Sequence, residues 1–268
     1  MNLYPNNSIL YLKIYGERNT GTNYLQKLVA NNYYCDFLNG VTQGTYYRNL
    51  ARALRSNGVK NSIEILQDYQ DKEHFRKVSS DYGWKHACAP IDVIAESQHK
   101  FNTLFLILIK NPYTWISSLY KNPYDWLGGR YPVSIDEFVK HKWDLTKRDN
   151  INEKSLNSPI ELYTKKYASY IELTRKFPEN VHIIKYEDLI SNPEITINFL
   201  KSSFTQIDAQ NFKNIEDSTK KNSNENFLDY RKKYLETPVS KIVSKSIIER
   251  VNNFIPDQIF EHYNYLRL

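Results

Sequence analysis

Gly16-Glu17-Arg18-Asn19-Thr20-Gly21-Thr22-Asn23-Tyr24-Leu25-Gln26-Lys27-Leu28 is the stretch whose reading decides the fold of this chain. It follows the apolar run Ile9-Leu10-Tyr11-Leu12-Lys13-Ile14-Tyr15 and opens a segment in which Tyr24, Leu25, Leu28 and Val29 share one helical face. Strand, short polar loop and helix together surround an anion with backbone N–H groups at a helix N-terminus. Gly16 and Gly21 have the spacing of a Walker phosphate loop, but Thr22 stands where the lysine belongs. Thr20 or Thr22 is the expected cap of the helix, and the whole unit runs from about Ile9 to Asn32.

The pattern repeats downstream. Thr103 to Ile109 (TLFLILI) is an unbroken apolar run, as a central parallel strand covered on both faces requires. Asn111-Pro112 stops it, and Pro112 suits the first turn of a helix over Tyr113 to Tyr120 that buries Trp115, Ile116 and Leu119. Val181 to Tyr186 reads as another buried strand, preceded by a helix over Ile160 to Phe177 and followed by one from about Pro193 to Phe204. Tyr82 to Pro90 reads as a short strand entering a loop, and Val239 to Phe254 as a last amphipathic helix. Residues 33–80 are polar and mixed, with weak helical patterning around Ile63 to Tyr69, and read as an insertion over one edge. Residues 122–131, with Gly128-Gly129, and 206–233 read as mobile loops. Helices alternating with short apolar strands predict a single α/β domain over 1–268, its central parallel sheet flanked by helices on both faces.

Composition narrows the function. A chain of 268 residues with 41% apolar content buries a substantial core. Its mean hydropathy of −0.63 goes with long polar loops. No apolar run approaches the roughly 20 residues of a membrane span. The first residues lack the basic-then-apolar layout of a secretory signal, and the chain has only two cysteines, Cys35 and Cys88, so a cytoplasmic setting is expected. The net charge of +6 calls for an anionic partner. Basic residues are scattered except at Lys220-Lys221 and Arg231-Lys232-Lys233, and no nucleic-acid-binding motif is present. A small phosphorylated ligand accounts for the charge at least as well.

Three segments, in order, resemble the sulfotransferase family that uses 3′-phosphoadenosine 5′-phosphosulfate, whose architecture is related to that of phosphate-loop kinases. Arg18-Asn19-Thr20-Gly21-Thr22-Asn23 resembles the family's 5′-phosphosulfate loop, which implies that these residues hold the donor and that Arg18 faces the transferring sulfuryl group. The family places its basic residue two before the glycine; here Arg18 lies three before Gly21 and Asn19 takes the expected place. Lys110, followed eight residues later by Ser118, resembles the 3′-phosphate site, with lysine replacing the more usual arginine and so giving up bidentate contact. Lys185-Tyr186-Glu187-Asp188-Leu189 resembles the family's YEDL pattern, a fold marker in which Glu187 and Asp188 are structural charges.

The same resemblance implies further roles. His86, in Trp84-Lys85-His86, is the candidate base, with a side chain able to accept a proton near neutral pH. Lys85 would stabilise the bridging oxygen, and Glu17 is a reserve base. Arg231 and Lys232, with Lys233, would help hold the 3′-phosphate, or be a solvated charge run. Trp126 and Tyr131 are candidates for an acceptor pocket, while Trp115 reads as core. The histidines lack metal-ligand spacing, so no metal is expected. The implied reaction moves a sulfuryl group to a hydroxyl or an amine, with a carbohydrate acceptor first and a small-molecule natural product second. Two rivals remain: a phosphate-loop kinase, which needs a lysine after Gly21 and a strand-end carboxylate, and a non-catalytic module that binds polyanions.

Overall fold

The structure, a computed structural model, describes residues 9–40, 45–123, 134–220 and 223–268. Trp126, Gly128, Gly129, Tyr131 and Lys221 lie outside the described residues. In chain order the elements are β1 (Tyr11–Tyr15), α1 (Thr22–Asn32), β2 (Asp36–Phe37), α2 (Thr45–Ser56), α3 (Ser62–Asp81), α4 (Ile91–Glu96), β3 (Thr103–Ile109) and α5 (Pro112–Lys121). Then follow α6 (Ile135–Phe138), β4 (Trp143–Asp144), β5 (Ser155–Leu156), α7 (Pro159–Lys176), β6 (Val181–Lys185), α8 (Tyr186–Ser191) and α9 (Pro193–Ile197). The chain closes with α10 (Phe227–Arg231), α11 (Val239–Ile242), α12 (Lys245–Phe254) and α13 (Asp257–His262).

Four strands form one parallel sheet in the order β2-β1-β3-β6. The apolar run of β3 lies at its centre, and every residue of it is buried. Alternation splits that strand between two cores. Phe105, Ile107 and Ile109 pack with Trp115 of α5, Tyr167 of α7 and Ile247 of α12, whereas Leu104, Leu106 and Leu108 pack with Leu25 of α1 and Leu189 of α8. Each such side chain, fully buried, is worth about 1.5–3 kcal/mol. The sheet is therefore covered on both faces, and the loops after β1, β3 and β6 open at its carboxyl edge, where ligands of such sheets bind. No helix among the described residues is long and apolar enough to cross a membrane.

Several local expectations are corrected. Neither Thr20 nor Thr22 caps α1; Gly21 stands at that position with φ +94° and no side chain bonds the first turn. No strand forms over 82–90, because Tyr82 and Gly83 both turn to positive φ (56° and 72°) and leave the extended region. The strand at Val181 is an edge, paired only with β3, and its His182 is exposed and stacked on Phe199. The C-terminal helix breaks at Val243, which is extended, into α11 and α12, and α13 follows. Residues 33–80 hold the two helices α2 and α3, the second twenty residues long. Its buried face includes Gln70, Asp71 and His74, so apolar periodicity does not reveal it.

Lys13 ties this region to the sheet. Its buried ammonium donates to the carbonyls of Leu38 (3.0 Å), Asp81 (2.6 Å) and Gly83 (2.5 Å). Burial pulls its pKa down to about 7. The end of α3 and the turn before Trp84 are thus pinned to β1.

Candidate active site

The phosphate-loop geometry grows from two glycines that tolerate no side chain. A Cβ on Gly16 would lie 2.6 Å from the Leu108 carbonyl, and one on Gly21 would lie 2.8 Å from the Tyr186 ring. Between them, Thr20 Oγ1 donates to the Glu17 carbonyl at 2.6 Å and closes the turn. Asn19 adopts φ +65° and donates through Nδ2 to the Asn122 carbonyl at 3.0 Å. Its Oδ1 is buried without a hydrogen-bond partner among the described residues. The first N–H groups of α1, uncapped by any side chain, are left for an anion.

Lys110 follows the central strand and lines the same cleft as this loop. It is 1% exposed at the end of β3, held by a hydrogen bond from its own N–H to Tyr167 Oη (2.9 Å) and one from Tyr163 Oη to its carbonyl (2.8 Å). Its ammonium donates to Ser118 Oγ at 3.0 Å. No carboxylate pairs with it among the described residues, and burial holds its pKa well below the usual lysine value. A buried cation without a counter-ion is costly unless an anion arrives. Glu187 does not serve, since it accepts from Asn111 N (3.1 Å) and Tyr265 Oη (2.9 Å).

His86 packs against the start of the loop. Its Nδ1 is 2.6 Å from the Gly16 carbonyl, an acceptor only, so Nδ1 carries the proton and Nε2 keeps a free lone pair. Burial, reinforced by the charges of Lys85, Arg18 and Lys166, pushes its pKa well below 6.5. The ring is therefore neutral at pH 7, as a base must be. Lys85 reaches the first turn of α1, donating to Asn23 Oδ1 at 2.6 Å and Gln26 Oε1 at 3.4 Å, and burial lowers its pKa to about 8. Arg18 lies over the Trp84 ring at 4.7 Å, and its carbonyl accepts from Trp115 Nε1 at 2.9 Å. Glu17 is fully buried in an ion pair with Lys166 (2.5 Å), which also pairs with Asp149 (2.6 Å) and donates to the His86 carbonyl. That network fastens the loop to the backbone of His86.

Residues 13–264 match the family profile of the sulfotransferase domain. The chain belongs to the sulfotransferase family. No curated protein matches its sequence. Among solved structures, a "Sulfotransferase Domain from the Curacin Biosynthetic Pathway" is similar, at 14% identity over 73% of each chain with a TM-score of 0.38.

In this sulfotransferase one cleft of about 730 Å³, open mouth included, joins the pieces: Asn19, Gly21, Thr22, Asn23, His86 and Lys110 all line it. The Tyr24 and Phe227 rings, which also line it, stack with centroids 6.1 Å apart. Arg18, Thr20, Lys85, Ser118, Arg231 and Lys232 do not line it; Arg231 lies by Phe227 at 5.9 Å and Lys232 is exposed, while Lys233 pairs with Glu225 at 3.0 Å. The sequence reading missed Tyr186, Lys220 and Tyr234, which do line it. Tyr186 was legible as the tyrosine of the YEDL segment, and Tyr234 as the aromatic residue ending the basic run Arg231-Lys232-Lys233-Tyr234. Lys220 carries no local signal beyond its charge.

Proposed function

We propose that this enzyme transfers a sulfuryl group from 3′-phosphoadenosine 5′-phosphosulfate to a hydroxyl or an amine of a carbohydrate or small-molecule natural product. Bound donor supplies the group on a phosphosulfate anhydride, activated for transfer. The residues present fit such a ligand: the uncapped N-terminus of α1 and Lys110, which has no carboxylate partner among the described residues, open on the same cleft. Arg18, Asn19, Thr20, Gly21, Thr22 and Asn23 hold the 5′ end, with Lys85 adding a charge beside them. Lys110 holds the 3′-phosphate, with Ser118 orienting its ammonium. His86 Nε2 takes the acceptor proton. Free thiols at Cys35 and Cys88 support a reducing, cytoplasmic setting.

One observation carries this reading: the neutral His86 opens on the same cleft as both anion-seeking ends. The test incubates the enzyme with sulfur-labelled donor and a panel of saccharides and small phenols. Wild type labels an acceptor, while His86→Ala loses about 100- to 10,000-fold in turnover and keeps its affinity for the product nucleotide. Undiminished turnover in His86→Ala removes His86 as the base.

A further inference from the structure

The Lys110 ammonium has one hydrogen-bond acceptor and two aromatic rings against it. It donates to Ser118 Oγ at 3.0 Å, while the Tyr234 ring centre lies 3.6 Å from Nζ and the Tyr186 ring centre 4.4 Å. Ser118 is equally committed. Its only proton goes to the Thr114 carbonyl at 2.8 Å, so its lone pairs receive Lys110 Nζ and the Tyr234 hydroxyl, 2.9 Å away. A phosphate that approaches Lys110 from the side of either ring has to take that ring's place.

Tyr186 is not the one that leaves. Its ring is packed directly on Gly21, with no room for a methyl group between them, and it starts α8. Ser118 is fixed in the body of α5. Tyr234 differs: it sits on the π-helical turn Lys232–Glu236, a rare geometry found mostly at functional sites, and it borders the cleft beside Lys110.

We infer that Tyr234 is a displaceable cap on Lys110, an internal competitor that the 3′-phosphate of the donor must push aside and that returns when the 3′,5′-bisphosphate product leaves. The inference rests on the donor reading above. A buried cation over an aromatic face is a substantial interaction, and a phosphate that replaces it gains only the difference. The cap thereby weakens product binding selectively at the 3′ end and speeds release, a step that often limits turnover.

The experiment compares dissociation constants for adenosine 3′,5′-bisphosphate and adenosine 5′-monophosphate, by calorimetry, in wild type, Tyr234→Leu and Tyr234→Phe. Tyr234→Leu removes the ring and should tighten the bisphosphate about tenfold or more, leaving the monophosphate within about twofold. Tyr234→Phe keeps the fold but frees the ring from Ser118, and should tighten the bisphosphate about threefold. Unchanged or weaker bisphosphate binding in either folded variant overturns the cap, and so does an equal change for both nucleotides. Separately, a wild type that binds the two nucleotides alike rejects the donor reading, and the cap falls with it.

Discussion

Replacing Gly21 by alanine tests the phosphate loop at the point where the structure is least forgiving. The residue has φ +94°, a conformation that costs an L-residue roughly 1–2 kcal/mol. The added methyl would also sit 2.8 Å from Tyr186 Cδ2 and Cε2. Carbon atoms prefer about 3.5–4.0 Å, so the ring would have to retreat by about 1 Å. It has little room: Tyr186 is 6% exposed and meets Tyr234 edge-on with centroids 5.4 Å apart. Overpacking of this kind costs about 1–3 kcal/mol. The two effects sum to about 2–5 kcal/mol, measured as a fall in the urea midpoint at unchanged slope. Gly58→Ala is the control, since Gly58 shares a positive φ of 61° but has nothing within 4 Å of a Cβ. It should lose only the strain, about 1–2 kcal/mol. Equal losses in the two variants would refute the claim that Gly21 is pressed against the Tyr186 ring.

Three further outcomes follow from charge. On the proposed mechanism the base form of His86 takes the acceptor proton, and burial lowers its pKa, so kcat should stay level as pH falls through 6.5 and decline only at lower pH; an acid limb centred at or above 6.5 contradicts the proposed role. Lys166→Met leaves the carboxylates of Glu17 and Asp149 buried without their shared cation, which should cost about 3–5 kcal/mol in urea melts. Lys166, with Thr146, holds the Asp149 pKa below its ordinary value. A lowered carboxylate pKa means that the unfolded chain binds protons first as pH falls. The corresponding stability is present above about pH 4 and is lost below it, and Asp149→Asn should flatten that acid slope.

How much was readable beforehand follows from which groups carry their information locally. The central strand, the loop before α1 and the spacing of Lys110 to Ser118 are contiguous patterns, and the structure places each where it was expected. The helix α3 shows in the sequence only as weak patterning around Ile63 to Tyr69, because beyond Leu66 its buried positions are polar groups with distant partners: Asp71 accepts from the backbone of Lys147 and Arg148, and His74 accepts from Trp84 N. The turn at 82–90 escaped because a left-handed Tyr82 has no sequence mark, whereas its cause, Lys13 gripping the Asp81 and Gly83 carbonyls, is about 70 residues away. In the site itself, the residues of the loop and His86 were named from short motifs. The Glu17–Lys166–Asp149 network joins three separate segments, and only the folded chain brings them together.

The most direct test of the donor assignment is a thermal melt with adenosine 3′,5′-bisphosphate, run beside ATP with magnesium. Ligand at about 100 times its dissociation constant adds roughly 2.7 kcal/mol of stability. For a domain of this size that is a rise in Tm on the order of 5–10 °C. The account predicts that rise with the bisphosphate and none with ATP and magnesium; a rise with ATP and magnesium alone would contradict it and favour phosphoryl transfer.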